Sequence, residues 1–191
     1  MVCLLLLLLF DKSMNLVTIA SMAFSQMAMV VVMVISPLYM KDYEHSLSSI
    51  SLALASHTFG MFGLSWVAGR LTDRWGRRRV ILAGAGLEVR ARAVVPLSLD
   101  ILPLSAALSM LGLGWSFCFV AGSTVLSDRL SPPEQAMIQG TKDLLIGLVT
   151  AVASLSGGLL FALLGYSSIC IAGVVLSLLP LGLAAWSRGS K

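Results

Sequence analysis

Charge is scarce in this sequence. Only 12% of its 191 residues are Asp, Glu, Lys or Arg, against 58% that are hydrophobic, whereas a soluble domain carries about 25% charge. So little polar surface cannot coat a water-soluble globule, and a mean hydropathy of +0.94 points to lipid as the solvent. Cysteine is scarce too: Cys3, Cys118 and Cys170 are too few and too scattered for a disulfide framework or a metal site. Cys118 and Cys170 lie inside apolar runs and read as packing residues. The apolar start, Met1 to Phe10, lacks a basic flank and a small-residue cleavage site, which argues against a signal peptide, and it is too short to span. No HExxH motif, no paired membrane aspartates and no Ser/His pairing is present, and no GxxxxGK[ST] loop. The expectation is therefore a protein that is not an enzyme and uses no cofactor. The net charge of +4 would hint at nucleic acid in a soluble protein. Here the basic residues fall in short loops, so no nucleic-acid partner is expected.

What the sequence has instead is long apolar runs, each near the roughly 20 residues that cross a bilayer as a helix. After a stub at 1–13, one transmembrane domain is expected over 14–191, with runs at about 16–40, 47–67, 80–99, 101–126, 139–164 and 166–186. They are too long for strands and lack barrel-type alternation, so the fold class is an all-α integral membrane protein, a bundle of six transmembrane helices. Polar connectors separate the runs: Lys41 to His45, the cluster Gly69 to Arg79, and Ser127 to Glu134, where Pro132 and Pro133 stop one helix and open another. With this count one side receives Lys12, Arg70, Arg74, Arg77, Arg78, Arg79, Arg129, Lys142, Arg188 and Lys191, and the other only Lys41. Both termini are then expected in the cytoplasm, with the chain in the plasma membrane.

The third run carries Glu88, Arg90 and Arg92 near its middle, and a central Arg costs about 2.5–3.5 kcal/mol on insertion scales. Glu88 and Arg92 are four apart and can pair on one helix face. Two readings stand: an intramembrane ion pair facing a cavity, or a marginal span that its neighbours force into the membrane.

Between the second and third runs the chain reads Gly69-Arg70-Leu71-Thr72-Asp73-Arg74-Trp75-Gly76-Arg77-Arg78-Arg79. This resembles the signature loop of the major facilitator superfamily of secondary transporters, G-x-L-x-D-R-x-G-R-R/K, which lies at the same place in a six-helix half. Leu111 to Phe117 and Pro133 to Gly140 resemble the fourth helix and following loop of such a half. The resemblance implies that this chain is one half, and the stub Cys3 to Phe10 with Asp11-Lys12 suggests the C-terminal half. It also implies that Gly69, Asp73, Arg74, Gly76 and Arg77 form a latch holding the cytoplasmic side closed in the outward-open state. Physical chemistry suits that role: Gly69 permits close helix approach, Asp73 suits a helix N-terminus, and Arg74 and Arg77 offer planar donors. A topology anchor touching lipid phosphates is the plainer alternative.

Polar residues at mid-membrane depth are the substrate-cavity candidates: Gln26, His57 and Trp115. In the resembled family the first and fourth helices line the cavity, which favours Gln26 and Trp115. His57 could carry a coupling proton, or simply bond to a neighbouring helix. Gly147, Ala151, Ser154 and Gly158 make a small-residue stripe suited to close helix packing. The methionines Met22, Met27, Met29 and Met33 suit core or lipid packing, or an adaptable cavity. Lys142 and Asp143 are expected at the membrane interface.

The resemblance implies gradient-driven transport of a small solute by a half-transporter. Its partners would be the solute, the bilayer and a second six-helix half: a separate chain, a missing N-terminal half or a second copy. The alternative is a non-transporting regulatory partner built on the half-fold. Topology gives the first prediction. Reporter fusions after Ser46, Arg79, Asp100, Ser131, Tyr166 and Lys191 should alternate outside and inside, starting outside. An inside signal after Asp100 would show that the third run does not cross.

Overall fold

The structure is a computed structural model that describes residues 13–95, 100–127 and 131–186. The stub up to Lys12, the end of the expected third span at 96–99, and Arg129, Arg188 and Lys191 lie outside the described residues. The elements are α1 (Ser13–Asp42), α2 (Leu47–Thr58), a π-helical turn (Phe59–Gly63), α3 (Ser65–Trp75), α4 (Arg77–Val94), α5 (Ile101–Ser127) and α6 (Pro132–Trp186). No strand occurs among the described residues.

Local chemistry sets the helix ends. Ser46 caps α2 by accepting from the Ser49 amide at 3.2 Å. Ahead of α6 the capping role falls to Glu134, whose carboxylate accepts from the Ser131 amide at 2.9 Å and the Ser131 hydroxyl at 2.6 Å. Pro132 and Pro133 then fill the first helical turn, where a missing N–H is harmless. Two breaks need glycine. Gly76 (φ 83°) separates α3 from α4, and Gly165 (φ 76°) divides α6 into limbs 132–164 and 166–186. The signature segment is thus no free loop: α3 runs on through Trp75, and only Gly76 leaves helical geometry before α4 begins at Arg77.

Cross-helix contacts give the topology. Along α1, Gln26 bonds Thr150 and Ser36 bonds Tyr166 at 2.8 Å, so the first limb of α6 runs parallel to α1. Val32 then meets Gly173, so the second limb turns back. Ile81 pairs with Cys118, and Glu88 with Gly114, making α4 and α5 antiparallel. Ser56 donates to the Ser105 carbonyl at 2.9 Å and His57 to that of Leu108 at 2.8 Å, which sets α2 along α5. Consecutive segments alternate in direction, as six crossings require. The shared core includes Val32, Ile35, Ala53, Leu108, Leu111 and Ile169. Met22 and Met29 are buried in packing positions.

Four helical segments among the described residues are long and apolar enough to cross a membrane: Thr18–Asp42, Leu47–Trp75, Ile101–Ser127 and Pro132–Tyr166. α4 is shorter and more charged, and its charges are the reason it needs neighbours. Glu88 and Arg92 are both 0% exposed and paired at 3.2 Å. Ser25 of α1 donates to the other Glu88 oxygen. Gly84 and Gly114 let α4 and α5 approach closely: a Cβ on Gly114 would stand 2.7 Å from the Gly84 carbonyl and 2.9 Å from the Glu88 side chain. Gly173 of α6 leaves similar room for Arg92. The pair is therefore packed inside the bundle and faces no cavity, which removes the first of the two readings of the third run. Arg90 points outward and is exposed.

Removing one member of a buried pair strands the other charge, at a cost of about 3–5 kcal/mol, whereas replacing both with apolar residues is often near neutral. Arg92→Met should lower the thermal midpoint in detergent sharply, and Glu88→Leu combined with Arg92→Met should recover most of the loss. A double variant no better than the single one would show that the pair is not the source of the cost.

Candidate functional site

The middles of three helices meet at one polar contact. Gln26 sits midway along α1, Trp115 midway along α5, and Thr150 midway along the first limb of α6. The Trp115 indole Nε1 donates to Gln26 Oε1 at 2.6 Å, and Gln26 Nε2 donates to Thr150 Oγ1 at 3.2 Å. Hydrogen-bonding directions are complementary throughout: an indole can only donate, and the amide offers both an acceptor and donors. The result is a polar bar tying three helices where lipid supplies no partners.

An aromatic ladder runs from the bar. Phe119, one turn along α5, stacks on Trp115 with centroids 4.7 Å apart, and Phe62 of the π-helical turn meets Trp115 edge-on at 6.1 Å. Beyond Phe119, α5 presents Val120, Ser123, Thr124 and Ser127 to a groove of about 390 Å³. Lys142 of α6 stands over the Phe119 ring, 4.4 Å from its centroid. It is buried, its stem lying between α5 and α6, while Asp143 faces outward, 64% exposed.

The structure thus joins two of the three cavity candidates, Gln26 and Trp115. His57 is elsewhere: it is 1% exposed, and its Nδ1–H is spent on the Leu108 carbonyl, which is the neighbouring-helix bond among its two readings. Thr150, Phe119 and Lys142 were missed by sequence reasoning. Thr150 is one hydroxyl on a span of Leu and Val, and a lysine near a span end reads as a topology charge.

The signature residues lie at the surface of the bundle. Gly69 has no neighbouring helix of this chain beside it; the close approaches within the bundle lie at Gly84 and Gly114. Asp73 is exposed, and no side chain caps the N-terminus of α4. Arg74, Gly76 and Arg77 are exposed as well, while Arg70 lies 4.9 Å from the Trp66 ring centroid. Gly147, Ala151 and Gly158 of the small-residue stripe also face out, with no neighbour from this chain near the two glycines. Within the bundle, Gly157, on another face of the same limb, lies against Val31 of α1.

Comparison with known proteins agrees with this architecture. A family model described as Major Facilitator Superfamily matches residues 17–189. The chain belongs to the Major Facilitator Superfamily. It is 32% identical over 170 residues to the uncharacterized MFS-type transporter YdeG of Bacillus subtilis, covering 88% of this chain and 40% of that protein. To YddS, an uncharacterized MFS-type transporter of the same organism, it is 32% identical over 180 residues, 92% of this chain and 41% of that protein. To the riboflavin transporter RfnT of Brucella anthropi it is 28% identical over 176 residues, 91% of this chain and 44% of that protein. The chain therefore spans about two fifths of the length of these relatives. Membership and the apolar helices make it a multi-pass membrane protein.

The bar has a measurable consequence. Gln26→Leu leaves the Trp115 N–H and the Thr150 hydroxyl without their partner, and each such loss costs about 1–3 kcal/mol. Its thermal midpoint in detergent should fall by more than that of Thr150→Val, which removes only the weaker end. Equal midpoints for Gln26→Leu and the parent would mean that the bar carries no stability.

Proposed function

We propose that this protein moves a small solute across the plasma membrane by gradient-driven alternating access, as one half of a two-half transporter, and that it is not an enzyme. The observation that carries this reading is the meeting of Gln26, Trp115 and Thr150 at the middles of three helices, beside a groove open on one side. A midplane site at the interface of two repeats is where such folds hold solute, and a single half supplies one wall. Two outward faces support a second half. The stripe Gly147, Ala151 and Gly158 is exposed beside Leu144, Leu148 and Leu155, and small residues in lipid let another helix approach closely. The exposed Asp73 and Arg77 suit a latch whose other side comes from that second half. The relative named as a riboflavin transporter supports a small organic solute as cargo. Both termini are placed in the cytoplasm by the loop charges.

Two measurements test it. Reconstituted vesicles holding the chain together with a second half should take up solute, and vesicles holding the chain alone should not. A monodisperse monomer that transports would overturn the two-half reading. For the latch, Asp73→Asn in the full-length protein should leave insertion intact but shift cysteine accessibility between the two membrane faces. A lost charge-assisted bond of about 1.5–3 kcal/mol changes that balance at least tenfold. Unchanged accessibility would reduce the motif to a topology anchor.

A further inference from the structure

A latch of Asp73 and Arg77 leaves Arg70 without a task. The α3 residues Trp66, Arg70, Asp73 and Arg74 share one helix face by their spacing, opposite the buried Ala68 and Thr72. All four are exposed. Neither Arg70 nor Arg74 pairs with a carboxylate among the described residues. Arg70 lies instead over the Trp66 ring, 4.9 Å from its centroid. Such a contact occupies one flat side of a guanidinium and leaves its N–H donors, which lie in the plane, for an anion. From Gly69 to Arg79 the segment holds five arginines against one carboxylate, Asp73.

Depth says which anion fits. Phe62 meets Trp115 edge-on at 6.1 Å and so stands at the level of the polar bar. Arg70 and Arg74 follow it by eight and twelve residues, about 12 and 18 Å along the helix at 1.5 Å per residue. The hydrocarbon core ends about 15 Å from its middle, so the two arginines bracket the boundary where lipid phosphates begin. Trp75, next to Arg74, is 52% exposed, as suits a tryptophan at the membrane–water interface.

We propose that this face of α3 holds the headgroup of an anionic phospholipid, its phosphate shared between Arg70 and Arg74, in the leaflet that the loop charges make cytoplasmic. Each guanidinium can take two phosphate oxygens in a planar fork, and lipids of that leaflet supply the negative charge that a basic segment attracts. A zwitterionic headgroup brings its own cation beside the arginines and is held less. Free phosphate offers the same oxygens but no acyl chain. The Trp66 ring, 58% exposed a turn deeper in the membrane, gives that chain an apolar surface. Lipid binding does not rest on the transport reading.

Spin-labelled phosphatidylglycerol and phosphatidylcholine, each added in trace to phosphatidylcholine vesicles holding the protein, report how much of each lipid is immobilised against it. Phosphatidylglycerol should be preferred about fivefold or more, the gain that one basic contact gives at a membrane surface. Arg70→Gln combined with Arg74→Gln should remove the preference. Arg70→Lys keeps the charge but loses the planar fork, and should lower it. Both arginines are exposed, so these variants leave the buried core intact. Equal retention of the two lipids by the parent would overturn the proposal. So would an undiminished preference in Arg70→Lys, which would show a diffuse surface charge with no defined site. Inorganic phosphate should displace phosphatidylglycerol no better than chloride at equal ionic strength; stronger displacement would make the ligand a free oxyanion and sink the lipid assignment. The measurement is repeated with a second half present, and the preference should persist. Its loss there would give this face of α3 to the second half instead.

Discussion

The buried Glu88–Arg92 pair is the constraint around which the bundle is arranged. In hydrocarbon no water can satisfy a stranded charge, so α4 can occupy the membrane only if its neighbours enclose both groups. Each neighbour contributes something specific. α1 supplies the Ser25 hydroxyl, α5 supplies Gly114 so that its backbone can close over Glu88, and α6 supplies Gly173 so that Arg92 fits. The pair's net energy against an apolar substitute is small; its consequence is geometric, because residues of four helices together cover both charges. Arg90 of the same helix escapes this requirement because it points out of the bundle and is exposed.

The helical part of this architecture was legible in the sequence because each span depends on its own composition. Long apolar runs, Pro132-Pro133 and the glycines at 76 and 165 are local signals. The midplane candidates Gln26 and Trp115 were legible for the same reason: a polar group at that depth stands out against leucine and valine. What the sequence could not show is direction around the helix axis. Lys142 and Asp143 are adjacent, and a rotation of about 100° separates a buried cation from an exposed carboxylate. The stripe Gly147, Ala151 and Gly158 was legible as a packing surface, but not which way it faces: it is exposed, while Gly157 on another face meets Val31 of α1.

The buried ion pair and the candidate site are joined through consecutive residues of one helix. Ser25 turns toward Glu88 on α4, and Gln26 turns toward Trp115 on α5 and Thr150 on α6. α1 is therefore held on two faces at the same level, one by a fully buried charge network and the other by neutral hydrogen bonds beside an open groove. These two attachments differ in how readily they give. Breaking the first exposes charges to lipid, while exchanging the second for bonds to a solute trades like for like. A solute that takes over the Gln26 or Thr150 partners can thus rearrange the bar without loosening α1 from α4. Sliding α1 alone would pull Ser25 from Glu88, so movement of the bundle as a unit disturbs fewer buried contacts than rearrangement within it. In the proposed two-half transporter, this pattern of strong interior and weak groove-side contacts would suit rocking of one bundle against the other.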